Sequence, residues 1–122
     1  MDAEKTREYY EKIGETELCE CAYCQNYAKE VKAAYPKVAE VLGSMGVDIE
    51  KPFETMPLEP DEKGYIDYVA AQYVVFGRAE DFKETSVDSV KIDVAEAHPA
   101  TKINEEHFVI EISPIRLKWG IR

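Results

Sequence analysis

The chain changes its periodicity once, near Gly64, and that change limits the folds open to it. Before it, apolar residues recur at helical spacing. From about 22 to 35, Tyr23, Cys24, Tyr27, Ala28, Val31 and Ala34 share one face, with Lys29, Glu30 and Lys32 opposite. Pro36 interrupts this run and suits the first position of a second helix over about 36–44. There Val38, Val41, Leu42 and Met45 keep the spacing, and Gly43 and Gly46 end it. After Gly64, β-branched and aromatic residues dominate three runs, about 65–76, 87–95 and 107–119. Connections of about 10–12 residues are too short for comfortable helical crossovers, so the runs should pair antiparallel. The expected class is α+β, with N-terminal helices packed on a C-terminal, mainly antiparallel sheet.

Residues 2–13 admit two readings. Asp2 can cap a helix carrying Thr6, Tyr9, Tyr10 and Ile13 on one face, or 7–13 and 16–21 can form a hairpin around Gly14-Glu15. The helix is preferred. Residues 47–63, with Pro52, Pro57 and Pro60 among acids, read as a connection holding a short edge strand near Phe53. At the end of the chain, Ile115, Leu117, Trp119 and Ile121 alternate with Arg116, Lys118 and Arg122, so one face should be buried and the basic face should neutralise an acidic surface. Pro114 cannot donate to a ladder and should mark an edge or a bulge that divides the last run. Strict alternation along 65–76 would put Tyr65 and Tyr73 on one face and Tyr68 and Phe76 on the other. One pair then belongs to the core; the other fills it too or lines an aromatic ligand or protein-binding face.

A length of 122 residues without a Gly/Ser/Pro-rich linker points to one domain over 1–122. Net charge is −10, and it is uneven, because the first 114 residues hold 12 bases against 25 acids. Such a surface repels phosphate backbones and anionic membranes, which excludes nucleic acid as the expected partner; it permits a basic protein partner without demanding one, and the plainer reading is that excess Glu and Asp keep an ordinary domain soluble. No apolar run reaches the length of a signal peptide or of a bilayer span, so the expected location is the cytoplasm. An odd number of cysteines agrees with a reducing compartment.

All three cysteines, Cys19, Cys21 and Cys24, fall within six residues. If 17–21 is extended, Cys19 and Cys21 point to one side, and Cys24 sits in the first turn of the helix that follows. Three sulfurs can then converge on zinc, for which Cys21-x-x-Cys24 is a compact two-ligand spacing. The fourth ligand would be His98, His107, Glu20, Asp67 or water, since no second ligand pair stands nearby. A catalytic zinc would also need a base, for which Glu105 and Glu106 beside His107 are the nominal candidates. The same pair at a helix start suits thiol redox chemistry, because amide donors and the helix dipole favour the thiolate. However, helices and antiparallel strands follow it rather than the βαβ unit of thioredoxin-like folds. The plainest reading makes all three buried small apolar residues that anchor a strand-to-helix junction.

Other constellations are thinner. Asn104-Glu-Glu-His107 places acids beside an imidazole in a turn, without a nucleophile at a recognisable spacing. There is no G-x-S-x-G, Gly-rich phosphate loop, H-E-x-x-H or calcium loop. No catalytic or cofactor-binding residue is therefore assigned, and an enzyme is disfavoured.

The segments Leu18-Cys-Glu-Cys-Ala-Tyr-Cys-Gln-Asn-Tyr27, Ala34-Tyr-Pro-Lys37 and Gly46-Val-Asp-Ile-Glu-Lys-Pro-Phe-Glu54 resemble a family of small uncharacterised bacterial single-domain proteins. The resemblance runs from about residue 8 to 119; it implies a stand-alone cytoplasmic domain and transfers no activity or site. The expectation for function is a non-catalytic acidic binding module, of inhibitor or immunity type. A zinc-binding domain built on Cys19, Cys21 and Cys24 is the first alternative, and a thiol oxidoreductase using Cys21 and Cys24 the second.

Overall fold

A computed structural model of the chain describes residues 1–13 and 21–120. Asp2 starts the first helix, α1 (Ala3–Lys12), by accepting the Lys5 N–H at 3.0 Å, so the helical reading of this segment holds. Gly14 and most of the alternative hairpin's second strand lie outside the described residues. Thr6 fastens α1 to the sheet: its hydroxyl accepts the Phe76 N–H at 3.0 Å and donates to the Asp2 carbonyl at 2.8 Å. The Asp2 N–H itself donates to the Phe76 carbonyl. The next two helices, α2 (Ala22–Ala34) and α3 (Pro36–Ser44), share Tyr35 as the C-cap of one and the N-cap of the other, with Pro36 at the first helical position.

A connection then leads to six strands: β1 (Glu54–Pro57), β2 (Tyr65–Phe76), β3 (Thr85–Val87), β4 (Val90–Val94), β5 (His107–Ser113) and β6 (Ile115–Lys118). Every pairing is antiparallel, in the order β1-β2-β5-β4-β3, with β6 also beside β2. The protein is thus α+β, with three helices followed by an antiparallel sheet. The run expected as one strand over 87–95 is a hairpin that begins earlier, at Thr85. Asp88 and Ser89 form its two-residue loop, both with positive φ, as a type I′ turn demands, but without the glycine that would have announced it.

Pro114 does divide the last run, yet no bulge accompanies it on the β2 side: Ala71↔Ile112 and Tyr68↔Ile115 keep a single register. The reason lies in which way the backbone groups point. Trp119 donates to Gly64 on the β2 side, whereas the Arg116 N–H and the Lys118 carbonyl face outward to side chains. Pro114 shares the outward phase, so the N–H it lacks belongs to the open edge and not to the ladder.

Side-chain alternation, in contrast, slips. Tyr68 and Ala71, three residues apart, both enter the main core, and so do their partners Ile115 and Ile112. The slip occurs in both neighbouring strands at once, at Val69-Ala70 and Ser113-Pro114. It places Tyr68 and Tyr73 on the same, helix-covered face, leaves Tyr65 exposed, and puts Phe76 in a small second cluster on the other face. The expected pairing of Tyr65 with Tyr73 and of Tyr68 with Phe76 is therefore wrong, because it assumed an unbroken period of two. The main core sets Tyr27, Val31, Val38, Leu42, Met45, Val47 and Ile49 against that inner face. On the outer face, Val74, Phe76 and Val109 lie under Tyr9, Phe53, Ala95 and Ile103.

Gly46, at φ +84°, lets the turn after α3 press on α1: a Cβ there would stand 2.2 Å from the Ala3 carbonyl oxygen and 2.8 Å from the Arg7 nitrogen. Gly43, within α3, has nothing within 4 Å of the same position. Gly46→Ala should cost about 2 kcal/mol or more, whereas Gly43→Ala should be neutral or stabilise by up to about 1 kcal/mol. Urea unfolding of the two variants checks the opposite signs.

Candidate functional site

The start of α2 gathers the chemistry-bearing residues. Cys21 is its N-cap, in extended conformation, and its sulfur accepts the Cys24 N–H at 3.4 Å. The Cys21 side chain is exposed; Cys24 is half-buried, with its sulfur 3.7 Å from the Thr55 hydroxyl on β1. The Tyr68 hydroxyl donates to the Tyr23 carbonyl at 2.5 Å. Burial pushes the Tyr68 phenol up to about 12, opposed by the Asn26 amide and helped to a lesser degree by Cys24 and Cys21. Tyr23 lies over Trp119 with ring centroids 5.6 Å apart, and its hydroxyl donates to Glu59, whose charge raises its pKa.

One turn further along, Tyr27 is fully buried. Its ring meets Tyr68 edge-on at 5.0 Å, and its hydroxyl lies 2.5 Å from that of Tyr73, which donates to the Ile49 carbonyl at 2.7 Å. Since Tyr73 spends its only proton on Ile49, Tyr27 must be the donor between the two hydroxyls. Burial drives the phenols of Tyr10, Tyr27 and Tyr73 well above their ordinary range.

The residues considered as further metal ligands are elsewhere. His107 and His98 stand by the outer face: His107 contacts the Phe76 ring, and His98 the Phe53 ring. The ring nitrogens of His107 pair with the Thr101 hydroxyl and the Glu105 carbonyl, both at 2.7 Å. Loss of hydration lowers its pKa, helped by His98. The Glu105 side chain forms an ion pair with Lys5, and Asp67 forms one with Arg116. The sheet lies between these histidines and the Cys24 sulfur, which sits on the helix side against Thr55. Cys19 and Glu20 fall outside the described residues, and among the described residues no group of three or more His, Cys, Asp or Glu is placed to hold a metal.

A second feature was read from the sequence only through Tyr65. Met56 and Leu58 on the β1 side, and Tyr65 and Val69 on β2, alternate with inward positions and emerge together on the outer face; Val69 is 52% and Leu58 53% exposed. The Leu58 N–H donates to the Asp67 carbonyl, which sets the two rows side by side. Arg116 crosses this face, forking to Asp61 at 2.7 Å and Asp67 at 2.9 Å with its guanidinium 4.8 Å from the centre of the Tyr65 ring. The expected neutralisation of acids by the basic face of the last strand is thus met at Arg116, while Arg122 lies outside the described residues. The Asp61 carboxyl is held below its usual range, first by the Tyr65 N–H and then by Arg116. The early signals of this face were Tyr65, one of the aromatic residues considered for a protein-binding face, and the apolar Met56 and Leu58 at alternate positions in a proline-rich stretch read as a connection.

No family model, curated protein or solved structure matches the chain.

The hydroxyl chain gives an ordered pair of expectations. Tyr73→Phe leaves the Tyr27 hydroxyl and the Ile49 carbonyl without partners and should cost about 1–3 kcal/mol, whereas Tyr27→Phe keeps the Tyr73 to Ile49 bond and should cost about 1 kcal/mol or less from the lost hydroxyl. Denaturant titration of both variants tests the ranking. The buried phenols also set an alkaline limit. Their folded pKa values are raised, so the neutral form is favoured on folding; this stability is complete below about pH 10 and is lost as pH climbs through the folded values, about 12 for Tyr68. Phenolate absorbance should show Tyr10, Tyr27, Tyr68 and Tyr73 ionising only as circular dichroism reports unfolding.

Proposed function

We propose that the protein is a non-catalytic binding module whose docking surface is the outer face formed by Met56, Leu58, Tyr65 and Val69. The observation that carries this reading is that four of the five large apolar side chains exposed among the described residues lie together on that one face. Scattered surface apolar residues need no explanation, but a contiguous set rimmed by charge suits a protein interface. The occupant is a basic protein partner. Residues 54–67, which carry three of the four side chains, hold five acids and one base. The chain as a whole is at −10, so an approaching cationic surface is steered toward the apolar centre. Arg116, already committed to Asp61 and Asp67, fixes Tyr65 from the side and gives the patch a defined shape.

A photo-crosslinking residue at Val69, introduced into the chain in its native host, should capture one partner of net positive charge. That capture should weaken by about tenfold or more between low and high salt and vanish in the Leu58→Asp variant. Capture of a second copy of the chain, or capture unaffected by Leu58→Asp, would remove the proposal.

A further inference from the structure

The start of α2 supports a chemistry separate from the outer face. Cys21 is exposed and extended at the N-cap, its sulfur 3.4 Å from the Cys24 N–H, while Cys24 is half-buried with its sulfur 3.7 Å from the Thr55 hydroxyl. The two thiols thus differ in access but share one turn. The Cys21 sulfur already reaches the Cys24 backbone nitrogen, and Cys21 is the one residue of the pair outside the helix, so adjustment of the N-cap can bring the two Cβ atoms to the roughly 3.5–4.5 Å that a disulfide needs.

We propose that Cys21 and Cys24 form a dithiol that exchanges with small uncharged or cationic disulfides, Cys21 attacking and Cys24 resolving. In the first step the Cys21 thiolate attacks one sulfur of the small disulfide. The S–S bond breaks, a mixed disulfide forms on Cys21, and one small thiolate leaves and takes a proton from water. Cys24 then gives its proton to water and its sulfur attacks the Cys21 sulfur; the second small thiolate leaves and is protonated. Two protein thiols are oxidised to one disulfide, and one small disulfide is reduced to two thiols. The exposed member faces the reagent and the half-buried member meets only the mixed disulfide, the division of labour that resolving pairs require. The acidic surface selects against anionic disulfides, since glutathione disulfide is repelled where hydroxyethyl disulfide is not.

The test uses the full chain and its Cys19→Ser variant, treated with hydroxyethyl disulfide, quenched in acid and read by intact mass and peptide mapping. The expected product in both is a Cys21–Cys24 bridge with two equivalents of mercaptoethanol released. Cys24→Ser, with Cys24→Ala as a second variant, should stop at a single adduct on Cys21. Cys21→Ser should slow modification of Cys24 by about tenfold or more. Glutathione disulfide should react more slowly than hydroxyethyl disulfide by a margin that shrinks with added salt. A stable adduct on the native chain without a bridge, a bridge that uses Cys19 instead, or tightly held zinc that blocks both thiols would overturn the proposal. The map of the unmodified chain decides between bridge and adduct whatever the stability of the variants.

Discussion

The helical half of the protein is held to the sheet through Tyr27. Its ring lies against Tyr68 and its hydroxyl starts a chain through Tyr73 to the Ile49 carbonyl, so one α2 residue fixes two β2 residues and the connection after α3. A buried hydroxyl must find a partner or cost the fold a desolvated group, which makes this chain directional as well as apolar. With Tyr27 seated, Asn26 next to it reaches the β6 backbone, and Cys24 one turn earlier meets Thr55 on β1. The position of the thiols thus follows from packing several residues away.

That seating requires Tyr68 and Tyr73 to face the same way, although they are five residues apart on one strand. Only the joint slip at Val69-Ala70 and Ser113-Pro114 permits it. Because both strands slip together, the ladder survives while the faces exchange, and the outward positions of the bent half become Tyr65 and Val69. The tyrosine contact inside and the exposed apolar face outside are two results of one irregularity.

Much of the architecture was legible because it rests on local chemistry. Asp2, Pro36 and the helical spacing of Tyr27 and Val31 gave the helices nearly to the residue, and β-branched runs gave the long strands. Legibility ended where geometry is non-local. No local rule reveals that two paired strands break alternation together, so the faces of Tyr65 and Tyr68 were misassigned. The Asp88-Ser89 loop lacks the usual glycine, so one strand was read where a hairpin stands. At the cysteines, helical spacing found the start of α2 at Ala22, but the reading of all three as buried apolar residues fails, since Cys21 is exposed and Cys24 only half-buried, while Cys19 lies outside the described residues. The separation of His98 and His107 from them depends on which side of the sheet the 95–107 loop crosses.

The outward edge of β6 has a consequence for recognition. Tyr35 satisfies both the N–H and the carbonyl of Arg116 through one hydroxyl, and the Asn26 amide bonds the Lys118 carbonyl and the Gly120 N–H. With Pro114 contributing no donor, side chains occupy the place of a missing neighbour strand. A visiting peptide finds little main chain to zip onto there. Whatever meets this part of the molecule must read its side chains, so discrimination between partners rests on shape and charge rather than on the sequence-blind grip of added strands.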